Sequence, residues 1–397
     1  MAKKTFIPIP PMAELPPAEE INVKELLYKY LSGEIDLICV LGPTASGKTR
    51  YAVQLARQIN DLYSSLFAGN GISDVRFAHS TTALRLPVNS GLAVREKRAT
   101  PLAAGGGTHE VGGVLFDAGS PEVRAEIISA DSRQVYKGMD IGTGKDLSEY
   151  EEIPYHLMDI VEAGTKYNIF EYQRDFEKAY KDIVDRGGIP ILCGGSGLYI
   201  EAATCGYSLP EVPPDPQLRA ELEQKTDEEL VAQLASLKPL HNTTDYDTRK
   251  RLIRALEIAI YEAEHPVQRT AFLPKNTYYI GTLVSRDVRN ARIDRRLDAR
   301  LEEGMVDEIR GLLDGTHPSQ CSIDEAGNLV SGAPIPAEDL IYYGLEYKFV
   351  TQHVIGELTL EEMRTQLATA IHQFAKRQMT WFRGMERKGI TIHWTEV

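Results

Sequence analysis

Nearly continuous apolar runs, at Leu37–Leu41, Glu126–Ala130, Tyr155–Val161, Ile189–Cys193 and Tyr278–Val284, alternate with longer stretches of helical spacing. Such runs fit strands covered on both faces, because a strand with one wet face alternates instead. Phe170–Asp185 carries apolar residues every three to four positions and ends at Arg186-Gly187-Gly188, where glycine can supply a left-handed cap. Strands separated by helices predict an α/β fold, a doubly wound parallel sheet with ligands at the carboxyl ends of its strands.

Two segments break the rhythm. Residues 62–123 show little periodicity and contain Gly105-Gly106-Gly107 and Gly112-Gly113, which predicts a surface insertion with a β-hairpin around the second pair. Because it enters the next strand at its amino end, it should hang from the face opposite the ligands. The second, Leu209–Lys275, opens with Pro210, Pro213, Pro214 and Pro216 and turns helical over Asp215–Lys225, Thr226–Leu237 and Tyr246–Glu264. It reads as an inserted helical subdomain. The proline-rich start predicts a loosely attached arm. The expected layout is therefore an arm over 1–36, a sheet domain over 37–208, the helical insertion over 209–275, and a return to the core with C-terminal helices over 276–397.

A chain of 397 residues, 43% apolar and 25% charged, can bury a large core. Its apolar runs are too short to span a bilayer, and Met1–Pro8 lacks the apolar stretch of a signal peptide, so a cytoplasmic location is expected. Cys39, Cys193, Cys205 and Cys321 have no C-x-x-C spacing, and the nine histidines form no paired motif, which leaves a structural metal site without support.

The net charge of −13 argues against indiscriminate binding to polyanions. The basic residues are clustered, however. One knot is Arg249-Lys250-Arg251 with Arg254; another is Arg286, Arg289, Arg292, Arg295, Arg296 and Arg300; a third is Lys376, Arg377, Arg383, Arg387 and Lys388. A single such cluster is usually a solvated helix face. Three in one half of an acidic chain suggest a nucleic-acid partner.

The strongest chemical signal is Gly42-Pro-Thr-Ala-Ser-Gly-Lys-Thr49, a complete G-x-x-x-x-G-K-[ST] loop set between a strand and a helix. In that context Gly42 and Gly47 let backbone N–H groups converge on phosphate oxygens, Lys48 adds a full charge, and the Thr49 hydroxyl can sit on Mg2+. The strand that follows the insertion ends in Asp131-Ser132, where a carboxylate fits a base, an outer-sphere partner of Mg2+ or a helix N-cap. Gly194-Gly195-Ser196-Gly197 follows another strand and opens into the same crevice.

In combination, G-P-T-A-S-G-K-T, I-S-A-D-S-R-Q-V-Y-K-G-M-D-I-G-T-G-K (Ile128–Lys145), the H-x-x-D of His156–Asp159, G-G-S-G-L-Y (Gly194–Tyr199), K-R-L-I-R-A-L-E (Lys250–Glu257) and A-K-R-Q-M-T-W-F-R (Ala375–Arg383) resemble the tRNA dimethylallyltransferases. The likeness runs in order from about Leu37 to Gly384, outside the 62–123 insertion. It implies that the P-loop holds the diphosphate of dimethylallyl diphosphate, and that the acceptor is N6 of the adenosine 3′-adjacent to the anticodon. Gly42, Thr44, Ala45, Ser46, Gly47, Lys48 and Thr49, with Arg292 and Arg296, would hold the donor. Thr49 would carry Mg2+, the implied cofactor. Asp131 would accept the N6 proton, and Ser196 would keep the reactants in line, with Lys48 stabilising the leaving group.

The same resemblance implies that the adenosine is flipped out of an anticodon stem-loop, as a stacked base cannot reach a deep pocket. Asp131, Ser132, Arg133 and Gln134 would grip it. Arg219, Lys250, Arg251 and Arg254 would meet the RNA from the helical insertion, and Lys376, Arg377, Gln378, Trp381 and Arg383 from the C-terminal helix. On spacing alone, packing into the core is the plainer role for Trp381 and Phe382. A monomer is expected.

Departures from the family pattern are specific. Ser196 replaces the threonine of G-G-T, and Ile371-His372 replaces T-R. Gly142-Thr143-Gly144-Lys145-Asp146 stands for G-T-A-K-P, and Gly344-Leu345-Glu346-Tyr347-Lys348 for G-Y-[KR]-[EQ]; residues from about Thr316 to Pro336 are extra. Two other chemistries compete: prenyl transfer to free AMP, ADP or ATP, and a P-loop kinase or ATPase. A diverged paralogue that binds tRNA without transferring anything is a third reading.

Overall fold

The computed structural model describes residues 15–67, 108–111, 114–117, 124–206, 212–238, 248–265, 274–324 and 329–397. In chain order the elements are α1 (Val23–Leu31), β1 (Leu37–Leu41), α2 (Lys48–Phe67), β2 (Thr108–Val111), β3 (Val114–Asp117), β4 (Ala125–Ser129), β5 (Tyr155–His156), α3 (Ile169–Asp185), β6 (Ile189–Gly194), α4 (Gly197–Thr204), α5 (Pro216–Leu222), α6 (Asp227–Leu237) and α7 (Arg249–Glu264). They continue with β7 (Thr277–Leu283), α8 (Arg286–Glu302), α9 (Met305–Asp314), β8 (Ser322–Ile323), β9 (Leu329–Val330), α10 (Ala337–Tyr342), α11 (Leu345–Val354), α12 (Leu360–Arg387) and β10 (Ile392–Glu396).

Six strands form one sheet in the order β10-β7-β1-β6-β4-β5, every neighbouring pair parallel. Alternation along β1 explains its unbroken apolarity. Leu37, Cys39 and Leu41 enter the core beneath α3, α4, α8, α9, α11 and α12, whereas Ile38 and Val40 enter the opposite core beneath α1 and α2. β1 lies between β7 and β6, so chain direction switches sides at its carboxyl end, where an open α/β sheet makes its ligand crevice.

Helices α5, α6 and α7 bury Leu222, Leu230, Leu234, Leu252, Ile253 and Leu256 in a core of their own. Their starts follow capping chemistry: Asp215 caps α5 before Pro216, Thr226 and Glu229 form a capping box, and Thr248 caps α7. These helices start one to three residues later than the spacing predicts, because the capping residues are not themselves helical.

Four expectations need correction. Residues 23–31 are not part of an arm: α1 buries Leu26 and Leu27 against the sheet, and Glu19 N–H bonds to the Trp394 carbonyl. The segment lacking structure cannot begin at 62, since α2 runs to Phe67. β2 and β3 pair antiparallel around Gly112-Gly113 as expected, while most of the insertion, and where it hangs, lies outside the described residues. Only Tyr155 and His156 of the run to Val161 join the sheet; Leu157 and Asp159 take left-handed backbone at φ 63° and 54°, which ends the strand. Finally, Ile392–Glu396 is an edge strand on β7, which a purely helical C-terminal reading missed.

Candidate active site

A cavity of about 690 Å3 lies over the carboxyl ends of β1, β4 and β6. The P-loop lines it through Thr44, Ala45, Gly47, Lys48 and Thr49; Asp131 and Gln134 close the side after β4, and Arg292 and Arg296 reach in from α8. The loop bends sharply at Ala45 (φ 60°) and Gly47 (φ 85°), and α2 begins at Lys48, so its N-terminal dipole points into the cavity. Gly42 and Ser46 stay behind this surface. Ser46 is fully buried, and its hydroxyl bonds the Thr282 hydroxyl at 2.6 Å, so its side chain supports the loop rather than facing a ligand.

Lys48, Arg50, Arg292 and Arg296 line the cavity together with Asp131, Asp146, Glu149 and Glu396. Burial lowers the Lys48 pKa, and Arg296 and Arg300 push the same way against Asp131 and Cys193. Burial followed by Arg300 pushes Arg296 down to about 10. Arg296 donates to the Thr44 hydroxyl at 2.6 Å and Arg292 to the Val397 carbonyl at 3.3 Å. Among the described residues, neither Lys48 nor Arg296 is in an ion pair with a side-chain carboxylate. Arg292, Arg296 and Arg300 recur at helical spacing on one face of α8. Crowded, desolvated cations beside a helix N-terminus give this wall of the cavity the chemistry to hold an anion.

Asp131 reaches this cavity because the backbone turns directly after β4. Its Oδ1 accepts the Arg133 N–H at 2.9 Å, and its own N–H donates to the Ser129 hydroxyl at 3.3 Å. Ser196 is not among the cavity-lining groups. Its hydroxyl accepts the Ser132 N–H at 3.1 Å and so ties the glycine turn after β6 to the Asp131 loop. Gln134 lines the cavity with both ends of its amide used: the oxygen accepts from Ser129 at 3.0 Å, and the nitrogen donates to the Gly144 carbonyl at 3.1 Å. That fixes the loop and leaves Gln134 a smaller part in reading a base than its residue type suggests.

The expected RNA-facing residues divide. Arg219 makes two bonds, of 3.0 and 2.8 Å, to the Glu257 carboxylate, which is 1% exposed, and Arg254 pairs with the same carboxylate while donating to the Val212 carbonyl. These two guanidiniums clamp the helical subdomain. Burial raises the Glu257 pKa, and the Arg219, Asp215 backbone and Arg254 hydrogen bonds outweigh it, so the net shift is downward. A carboxyl with a depressed folded pKa stabilises above its unfolded value and loses that contribution as pH falls through the folded one. Arg254→Met should therefore cost about 2–3 kcal/mol at neutral pH, and urea titrations should show this deficit shrinking in acid. A deficit constant down to pH 3 would contradict the clamp.

Lys250, Arg251, Lys376 and Arg377 are exposed, Arg133 and Arg383 are partly buried, and Gln378 is buried. Phe382 is fully buried, as aromatic packing predicts, but Trp381 is 41% exposed, and with Phe374 and Arg377 it marks an open face of α12. Residues the motifs did not single out also line the cavity, among them Asp146, Glu149, Tyr150 and Glu396. Burial and Asp146 raise the Glu149 pKa against Arg296, Arg50 and Lys48. Glu149 and Tyr150 lie in an acidic stretch with Glu151 and Glu152, and Asp146 in the altered G-T-G-K-D segment, whereas Glu396 carries no local signal.

Comparison with known proteins agrees with this geometry. A family model described as IPP transferase matches residues 134–385. The chain is 56% identical over 278 residues to a protein named tRNA dimethylallyltransferase 2 from Porphyromonas gingivalis, covering 69% of this chain and 86% of that one. It is 44% identical over 368 residues to tRNA dimethylallyltransferase 2 of Bacteroides fragilis, covering 91% and 93%. Among solved structures, the tRNA isopentenylpyrophosphate transferase of Bacillus halodurans superposes with a TM-score of 0.51 at 27% identity, over 91% of this chain and 89% of that one. The family match spans well over half of the sequence, and the chain belongs to the IPP transferase family.

Proposed function

We propose that this protein transfers the dimethylallyl group of dimethylallyl diphosphate to N6 of the adenosine 3′-adjacent to the anticodon of tRNAs, releasing diphosphate. The observation that carries the reading is that Asp131 lines the same cavity as the cationic P-loop cradle and follows directly on β4, with Asp146, Glu149 and Glu396 elsewhere on the wall. The names of the relatives support dimethylallyl transfer to tRNA.

The adenine amine is a weak nucleophile because its lone pair is delocalised into the ring. Its nitrogen forms a bond to C1 of the donor as the C1–O bond to diphosphate breaks, and the N6 proton goes to Asp131. Lys48, Arg296 and the P-loop amides stabilise the charge that collects on the departing diphosphate. Enclosure of the two reactants in one cavity supplies the alignment. The oxygen donors around the cradle, Thr49 with Glu149, suit Mg2+, which commonly shares one or two protein oxygens with substrate phosphates. When bound there, Mg2+ would neutralise diphosphate charge. Among the described residues no group of three or more His, Cys, Asp or Glu could hold a metal alone, so binding should depend on the diphosphate.

On the RNA side, Lys250 and Arg251 on α7 and Lys376, Arg377 and Trp381 on α12 offer exposed positive charge and a stacking surface. Replacing both Lys250 and Lys376 by alanine should weaken stem-loop binding and flatten its dependence on log salt by about one unit for each lysine that no longer meets a phosphate. An unchanged slope would remove both lysines from the interface. Among the described residues no helix is long and apolar enough to cross a membrane. A monomer working in the cytoplasm completes the reading.

Purified protein, labelled dimethylallyl diphosphate and Mg2+, mixed with unmodified tRNA or with AMP, tests it. Label in tRNA supports the proposal. Label in AMP alone would make the protein an adenylate prenyltransferase, and ATP hydrolysis without prenyl transfer would make it a P-loop ATPase.

A further inference from the structure

The carboxamide of Gln378 is buried and bonded at both ends to loops from different strands. Its oxygen accepts the Thr44 N–H of the P-loop at 2.8 Å, and its nitrogen donates to the Gly195 carbonyl, in the turn after β6, at 2.8 Å. The fit leaves no slack. A Cβ at Gly195 would lie 2.5 Å from the Gln378 nitrogen and 3.1 Å from the Gly42 carbonyl, so P-loop, glycine turn and α12 meet at one point. One turn further along α12, Trp381 approaches the same turn so closely that a Cβ at Gly197 would lie 2.3 Å from its ring. Yet Trp381 keeps 41% of its surface exposed, beside Arg377.

We propose that Gln378 is a positioning residue that couples RNA binding to donor binding. The inference rests on the function proposed above, since it needs an RNA on α12 and a diphosphate in the P-loop. An RNA pressed on Trp381 loads the helix against Gly197. Because the carboxamide holds two loops at once, α12 cannot shift without altering one of its two bonds. The bond at Thr44 matters most, since it occupies an N–H of the anion cradle and the Thr44 hydroxyl is already bonded to Arg296. Seating the RNA thus resets how many cradle donors face the diphosphate. Coupling of this kind is reciprocal, so diphosphate must change RNA affinity by the same factor.

The test measures the dissociation constant of inorganic diphosphate with Mg2+, with and without an unmodified anticodon stem-loop. For the wild-type protein the RNA should tighten diphosphate by about five- to tenfold, within the usual range for coupled sites. In Gln378→Leu the ratio should fall below about twofold, whatever happens to each affinity alone. Gln378→Glu keeps an acceptor for Thr44 but sets oxygen against the Gly195 carbonyl, and it should also lose most of the ratio; it carries the test if the leucine variant does not fold. A wild-type ratio near one, or variants that keep the wild-type ratio, would overturn the inference. Wild-type protein that prenylates no RNA would instead overturn the proposed function, so the two failures are separable.

Discussion

Asp131→Asn should reduce single-turnover prenyl transfer to an anticodon stem-loop by about 10^2–10^4-fold, the range for losing a positioned general base. Asparagine is the informative choice. Its side-chain oxygen still accepts the Arg133 N–H that Asp131 Oδ1 holds at 2.9 Å, so the turn after β4 keeps its shape. What disappears is the ability to take a proton from the attacking amine and the negative charge facing Lys48 and Arg296. The variant should bind inorganic diphosphate at least as tightly as the wild type, because one opposing charge has left the cradle. Full turnover by the variant would remove Asp131 as the base. Weakened diphosphate binding together with lost turnover would instead mean that the substitution disturbed the loop.

The sequence disclosed the central strands, the P-loop and Asp131 because each rests on local rules: two-sided burial makes apolar runs, and an anion cradle needs glycines, a lysine and a helix start in fixed order. What stayed hidden depends on long-range partners. Arg219 and Arg254 look like RNA contacts until Glu257, 38 positions from Arg219, is found between them. Ser46 and Ser196 read as ligand hydroxyls, but Thr282 and the Ser132 amide, supplied by other strand ends, claim them. The short run Ile392–Glu396 carries too little pattern to announce a strand and is made one by the neighbouring edge of β7.

Two departures from the family motif are also explained only in space. A Cβ at Gly144 would fall 1.6 Å from an Arg300 guanidinium nitrogen, and the backbone there is left-handed at φ 63°, so glycine suits this position on both counts. Arg300 is almost fully buried and approaches Asp146 at 3.5 Å, and its charge opposes the upward push that burial gives the Glu346 carboxyl. The altered 144–146 and 345–347 segments are thus two sides of one buried arginine packed behind the wall of the P-loop cavity. Gly144 and Asp146 line the same cavity as Lys48, Thr49 and Asp131, so these departures sit at its wall.

Glu308→Ala should be the most destabilising single change near the site, at about 3–5 kcal/mol. The Glu308 carboxylate is 7% exposed and accepts the N–H groups of Asp140, Ile141 and Gly142 at 2.9, 2.7 and 3.1 Å and the Tyr347 hydroxyl at 2.6 Å. Four donors would lose their acceptor at once, and each unsatisfied buried donor costs about 1–3 kcal/mol. The total stays below the sum because a cavity of about 390 Å3 borders Glu308 and can admit water to some of them. Glu308→Gln keeps one acceptor oxygen but turns an NH2 toward donors, and it should lose about half as much. Tyr347→Phe removes only one of the four bonds and should cost about 1 kcal/mol. The consequence reaches the P-loop cavity, since the segment that Glu308 gathers leads directly into Thr143, Gly144 and Asp146, which line it, and the Gly144 carbonyl holds Gln134. Denaturant titration should therefore rank the variants alanine, glutamine, phenylalanine in order of decreasing loss, with the KM for dimethylallyl diphosphate rising in the same order of severity. A Glu308→Ala protein within 1 kcal/mol of the wild type would show that water replaces the carboxylate fully and that the loop organises itself.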